Sequence, residues 1–214
     1  MSRWRLIFSS LLAAVVLSAV ASASASALEF YNAGGELITG ELAITGSGGE
    51  QALSGTLAGV KIEINCTSLS AHGTIHNGLG EGGMLMGLGE GLTQFSGCTI
   101  TAPKPKTVEG CEIPGGKITL EGRALAITVK SEPYIEFRPK SGTVLVEIAF
   151  VNCKTAGLDG EYEVTGILRS KVNNATSELE TNTGEGELVF GGKEAKCTGN
   201  AKQVIEGGGR IKVE

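Results

Sequence analysis

The two histidines, His72 and His76, stand four residues apart, a spacing that lets a helix chelate a metal ion. The residues between them, Gly73, Thr74 and Ile75, favour a strand instead, where two rings on one face would lie about 13 Å apart and share no ion. Both are expected to face solvent, and no metal ligand is assigned. A serine nucleophile would need one of the same two histidines as its base, and no Gly-x-Ser-x-Gly turn presents one. The stretch Gly78-Leu-Gly-Glu-Gly-Gly83 has the spaced glycines of a phosphate cradle. No helix pattern follows it, and its echo Gly87-Leu-Gly-Glu-Gly91 reads as a flexible glycine hairpin or loop. Between the two echoes, Met84, Leu85 and Met86 read as a short core strand between turns; if exposed, they form an interaction tip. Asp159 is the only aspartate among 23 acidic residues, so an Asp-rich calcium loop is missing. The glutamates mostly alternate along strand-like runs, as on the solvated face of a sheet. No catalytic residue, cofactor or metal site is therefore assigned, and the chain reads as a non-enzyme.

Five cysteines, Cys66, Cys98, Cys111, Cys153 and Cys197, are the remaining reactive groups. In an exported chain disulfides are the default, and five cysteines leave one over. Cys98 and Cys111 flank the Pro/Lys loop Thr101–Thr107, so a local bridge between them is the first expectation. Cys66 and Cys153 each close an apolar strand after an Asn, and their bridge would join distant parts of the sheet. Cys197 is then an unbridged buried thiol, an intermolecular link, or the true partner of Cys153. No Cys-x-x-Cys pair suggests zinc.

Export is read from the first residues. Arg3 and Arg5 precede the apolar run Leu6–Val20, and Ala25-Ser26-Ala27 supplies a small-residue cleavage pattern, so residues 1–27 are expected to be a removable signal peptide with no stable membrane span left after cleavage. The 214-residue chain carries a net charge of −5, and losing Arg3 and Arg5 makes it more acidic, which argues against nucleic acid and anionic membranes as partners. All 33 glycines follow the leader, whereas the only tryptophan, Trp4, falls within it. Such a chain turns often and packs small and branched side chains.

These residues need strands to position them. Thr143–Cys153 is the most strand-like run and is expected to be the central core strand, with Val144, Val146, Ile148 and Phe150 on one face. Ala52–Leu57 and Val60–Cys66 form an expected hairpin, where Lys61, Glu63 and Asn65 alternate with Val60, Ile62 and Ile64. About twelve short strands follow one another between Gly, Pro and Asn clusters; the only helical turn entertained lies near Asn173–Glu180. The expected fold is an all-β, antiparallel β-sandwich, alternatively a β-barrel, stapled by disulfides and formed as a single extracellular domain over 28–214.

Four strand ends, Cys66-Thr-Ser68, Phe95-Ser-Gly-Cys98, Phe150-Val-Asn-Cys153 and Val164-Thr-Gly166, give the chain a wider likeness. It resembles a group of uncharacterised secreted, cysteine-containing β-rich proteins of high-GC Gram-positive bacteria, over about Val60–Val172. Cys197 and the doubled glycine segment depart from that pattern. The resemblance implies export and a β fold, and no activity, cofactor or catalytic residue. The expected function is a secreted structural or interaction protein, non-catalytic, with an extracellular or envelope component as partner. The alternative is an extracellular carrier of a small molecule or lipid in an apolar cavity.

Overall fold

The computed structural model describes residues 26–80, 82–102, 110–155, 157–182, 188–206 and 209–214. Most of the expected leader, the Pro/Lys loop from Pro103 to Thr107 and the start of the strand expected at Gly186 lie outside the described residues. The strands are β1 Phe30–Asn32, β2 Leu42–Leu57, β3 Val60–Cys66, β4 Ser68–Leu79, β5 Leu85–Ser96, β6 Thr99–Thr101, β7 Lys117–Val129 and β8 Glu132–Pro139. They continue as β9 Val144–Phe150, β10 Gly160–Gly166, β11 Leu168–Asn173, β12 Glu178–Asn182, β13 Leu188–Phe190, β14 Lys193–Glu194, β15 Lys196–Ile205 and β16 Gly209–Val213. One 3-10 turn, Pro114–Gly116, is the only helical element among the described residues. The turn entertained near Asn173–Glu180 is the hairpin connection between β11 and β12.

Eight strands close a ring in the order β2, β4, β5, β7, β8, β11, β12, β15 and back to β2, each pair antiparallel. The all-β antiparallel expectation holds, and of its two architectures the barrel is the one that forms. β2 makes closure possible because it is long enough to carry two partners on one edge. Leu42–Gly48 pairs with β4 and Gln51–Leu57 with β3, while the opposite edge pairs with β15. Two hairpins turn on residue pairs with positive φ, Ala58-Gly59 (47° and 76°) and Lys130-Ser131 (50° and 66°), the type I′ geometry whose twist matches that of the strands.

β3 and β4 form one run bent at Thr67, and β5 and β6 form its partner, bent at Gly97 and Cys98. The Cys66–Cys98 disulfide lies across this bend. The second disulfide joins Cys111 to Cys153, so the expected pairings, Cys98 with Cys111 and Cys66 with Cys153, are corrected. Strand register decides this: Asn65 faces Thr99 across β3 and β6, which puts the cysteine after one beside the cysteine before the other.

A second sheet, ordered β14, β13, β10, β9, lies against the barrel end that carries Leu57, Cys66 and Cys98. Its buried side chains Ile148, Phe150, Val164 and Phe190 share a core with Ile62, Ile64, Ile118 and Leu120 of the barrel run. Phe150, Tyr162 and Phe190 pack as a trio with centroids 5.3 to 6.2 Å apart. The strand expected to be central, β9, is therefore an edge among the described residues: it pairs with β10, and beyond it on the other side lies the Glu112–Val151 bridge. A bulge lies where Val146 faces Val164 but Val144 faces Thr165. The extra residue, Leu145, turns into the core, breaking the simple two-face alternation.

The opposite barrel end is plugged by β1 and β16, which pair with each other. Side chains serve as backbone partners there. The amide of Asn77 accepts from Phe30 N (2.7 Å) and donates to the carbonyls of Phe30 (2.8 Å) and Ile38 (3.1 Å). Asn174 accepts from Val213 N and donates to Val213 O, and Ser177 does the same with Ile211. Asn77→Ala takes away the partner that the side chain gives to Phe30 N and to Ile38 O, whereas Phe30 O keeps the Ile38 N–H (3.0 Å). It is expected to loosen the plug by about 2 kcal/mol, read as more than tenfold faster hydrogen exchange at the Phe30 amide with the barrel amides unchanged.

Candidate functional site

The long β4–β5 hairpin ends in the most apolar exposed feature of the described residues. Its ladder runs from Ser68–Ser96 to Leu79–Leu85. The turn is closed by Gly80 N donating to Met84 O (2.9 Å) and Gly83 N to Gly80 O (3.0 Å), with Gly82 and Gly83 at φ 84° and 73°. Leu79 is 73% exposed, Met84 53% and Leu85 51%. Of the three residues read as a core strand or, if exposed, as an interaction tip, Met84 and Leu85 are exposed and Met86 is core: it is buried with Ile127 and Tyr134. A Cβ on Gly80 would meet Met86 Sδ at 2.0 Å, so the glycine lets this side chain fold beneath the turn. Leu79, which sequence reasoning missed, replaces it. Extending the β4 ladder past Asn77 and Gly78 would have found Leu79 opposite Leu85.

Leu37, 40% exposed, lies at the same barrel end, since its neighbour Ile38 is held by Asn77. Four of the five large exposed apolar side chains among the described residues therefore gather here; the fifth is Val151. Side chains of this size cost free energy in water, and a cluster of them marks an interaction surface.

The other candidates are placed plainly. The stretch Gly78–Gly91, expected to be a flexible glycine hairpin or loop, is a hairpin: the end of β4, the turn, in which Glu81 lies outside the described residues, and the start of β5, whose backbone is engaged in the ladder with β4. His72 and His76 project outward from β4, opposite Leu92 and Leu88, and no cluster of three metal-ligating side chains occurs among the described residues. Glu147 and Glu163 face each other across β9 and β10 as a carboxylate pair. Both are exposed on an open sheet face, and neither lines any of the hollows described below. Glu136 is buried on the outer barrel wall, where Arg138 donates to one carboxylate oxygen (2.6 Å) and Arg169 to the other (2.8 Å). This arrangement ties β8 to β11.

The barrel interior is nearly filled. Two small voids of about 40 and 50 Å³ lie inside it, and a third of about 60 Å³ lies between the barrel and the second sheet, beside Ile148, Val164 and Leu188. The larger hollows, about 470 and 970 Å³, are open on the outer surface. Cys197 forms no disulfide; it lines the second and third voids, because β15 turns Cys197, Gly199, Ala201 and Gln203 inward.

Burial pushes the Cys197 thiol from its ordinary 9.0 up to about 12. At pH 8 it is neutral in the folded chain, and native protein is expected to resist iodoacetamide, whereas unfolding without reduction exposes one reactive thiol per chain. The folded value lies above the unfolded one, so the thiol's contribution to stability is complete below pH 9. It falls as pH rises from 9 towards about 12, because only the unfolded chain then releases the proton. A urea midpoint that does not drop more steeply in the parent than in Cys197→Ala over that range would contradict this. No protein-family model, curated protein or solved structure matches the chain.

Proposed function

We propose that this is an exported, non-catalytic interaction protein that docks on an extracellular or cell-envelope partner through the β4–β5 tip. The observation that carries the reading is the gathering of Leu79, Met84 and Leu85 at one hairpin end. Two disulfides are compatible with an oxidising compartment, and no helix of the described residues is long and apolar enough to cross a membrane. The net charge of −5 favours an apolar protein contact over nucleic acid. The carrier alternative has less behind it. Interior voids of about 40 to 60 Å³ fall well short of the several hundred Å³ that small-molecule sites enclose.

The test is binding of labelled protein to envelope preparations of the producing cell. The triple variant Leu79→Ser, Met84→Ser, Leu85→Ser is expected to bind at least tenfold more weakly while its melting temperature stays close to the parent's, since the three side chains are exposed. Unchanged binding would remove the tip from the reading, and turnover of any substrate by the purified protein would overturn its non-catalytic half.

A further inference from the structure

The repeat Ala21-Ser-Ala-Ser-Ala-Ser-Ala27 contains three identical small-residue patterns, ending at Ala23, Ala25 and Ala27, so the pattern alone does not choose a cleavage point. The fold argues against the last of them. β5 and β7 pair from Leu88–Leu125 to Ser96–Lys117. Beyond Leu88 the two strands part, and Ser26–Leu28 lies in the gap as an extended segment. Thr128 N donates to Ser26 O (2.8 Å), Leu28 N to Ala126 O (3.1 Å) and Gly87 N to Leu28 O (2.6 Å), and Ala27 bridges Ile127. The next residue continues the pairing, with Glu29 N donating to Glu214 O (2.8 Å) and Glu214 N to Glu29 O (3.1 Å).

The gap is shaped for this segment. A Cβ on Gly87 would meet the Phe30 ring at 2.8 Å and Ala126 Cβ at 2.9 Å, so β5 can lie beside the incoming chain only with glycine there. Ala27 packs against Met86, Ile127 and Tyr134, and Leu28 against Phe30 and its neighbours in the barrel plug. Ser26 is exposed, and Leu28 is half-buried.

We propose that the leader is removed before Ser26, at the Ala25–Ser26 or the Ala23–Ser24 bond and not after Ala27 as the sequence first suggests, so that Ser26–Leu28 stays on the mature chain as the segment filling the β5–β7 gap. The step is a peptide-bond hydrolysis by the exporting cell's leader peptidase. Water supplies hydroxyl to the carbonyl of the alanine before the cut and a proton to the serine nitrogen after it, and no electrons are transferred. A cut after Ala27 would delete Ser26 and Ala27, strip Thr128 N of its acceptor, and place a new α-ammonium at Leu28. That ammonium would have three protons where the sheet offers Leu28 N one carbonyl, in a half-buried slot. A cut after Ala25 places the ammonium on exposed Ser26, where water solvates it.

The proposal rests on the export half of the proposed function, and one experiment separates the two. The full chain is expressed with its own leader in an exporting Gram-positive host, and the intact mass of protein in the medium and in the cells is measured. Protein in the medium beginning at Ser26 or Ser24 is the expected result. A medium form beginning at Leu28 overturns the proposal and leaves export standing, whereas full-length protein held in the cells overturns both. A second readout is amide exchange at Thr128. It is expected to be at least tenfold slower in the Ser26 form than in a chain made to begin at Leu28, and equal rates would overturn the role of Ser26–Leu28 as the segment filling the gap.

Discussion

Gly73→Ala is expected to destabilise the protein by about 3 kcal/mol or more, enough to leave little folded material. Gly73 faces Gly91 across β4 and β5, and Gly91 faces Gly122 across β5 and β7, so three glycines stand side by side across the barrel wall. A Cβ on Gly73 would lie 2.2 Å from Glu90 O and 2.8 Å from Gly91 Cα. On Gly91 it would lie 2.7 Å from His72 O, and on Gly122 2.7 Å from Arg138 O. The clashing atoms are backbone, so no rotamer change relieves them; the strands themselves would have to separate, breaking ladder hydrogen bonds. Glycine in this row lets the neighbouring backbones approach more closely than a side chain would allow. Gly49→Ala is the control, because its Cβ meets nothing within 4 Å and it is expected to stay within about 0.5 kcal/mol of the parent. Urea unfolding measures both. A Gly73→Ala midpoint as close to the parent as that of Gly49→Ala would show that the wall can relax around the added methyl.

The same row explains what was and was not legible beforehand. Alternation in β3 gave the strand and its faces directly: Ile62 and Ile64 are buried, and Lys61 is exposed. The glycines of β5 were half legible: the doubled segment suggested a hairpin or loop, and the hairpin is there, but its strands run further than composition suggested. The spacing of the glycines held the better signal, since Gly87, Gly89 and Gly91 recur every second residue and so belong to one face of a strand. Recognising that strand would also have paired the cysteines. Cys66 and Cys98 are equidistant in sequence from Gly82, at the centre of the β4–β5 hairpin, and the ladder from Leu79–Leu85 to Ser68–Ser96 points straight at them. Reasoning from loops and strand ends could not see this, because a disulfide partner is set by register between strands. β9 was misplaced for a related reason: an apolar run reports burial on its faces but not how many neighbours its edges have. The exposed tip was only half legible, because burial of Met86 depends on contacts with Ile127 and Tyr134 far along the chain.

Replacing Cys66 and Cys98 together by alanine is expected to lower stability by about 4 kcal/mol from the lost chain constraint alone, given their sequence separation of 32. For a chain of this size that corresponds to a fall of roughly 10 °C in melting temperature. The Cys111–Cys153 bridge closes a separation of 42, so by chain entropy the two losses should be nearly equal, with the second marginally larger. Packing reverses that order. Cys66 and Cys98 are buried, 5% and 6% exposed, and lie in the shared core beside Ile64 and Ile100, whereas Cys111 and Cys153 lie half-buried at its margin. Removing the first pair of sulfurs therefore also opens a void beneath the second sheet, at the bend where β3–β4 and β5–β6 change direction together. The Cys66/Cys98 double variant is accordingly expected to melt several degrees below the Cys111/Cys153 double variant. The two are compared by thermal unfolding with Cys197 intact in both. The reverse order would mean that the bend is held by its ladder and by Thr67, whose backbone N–H and hydroxyl both donate to Ser96 O, rather than by the disulfide.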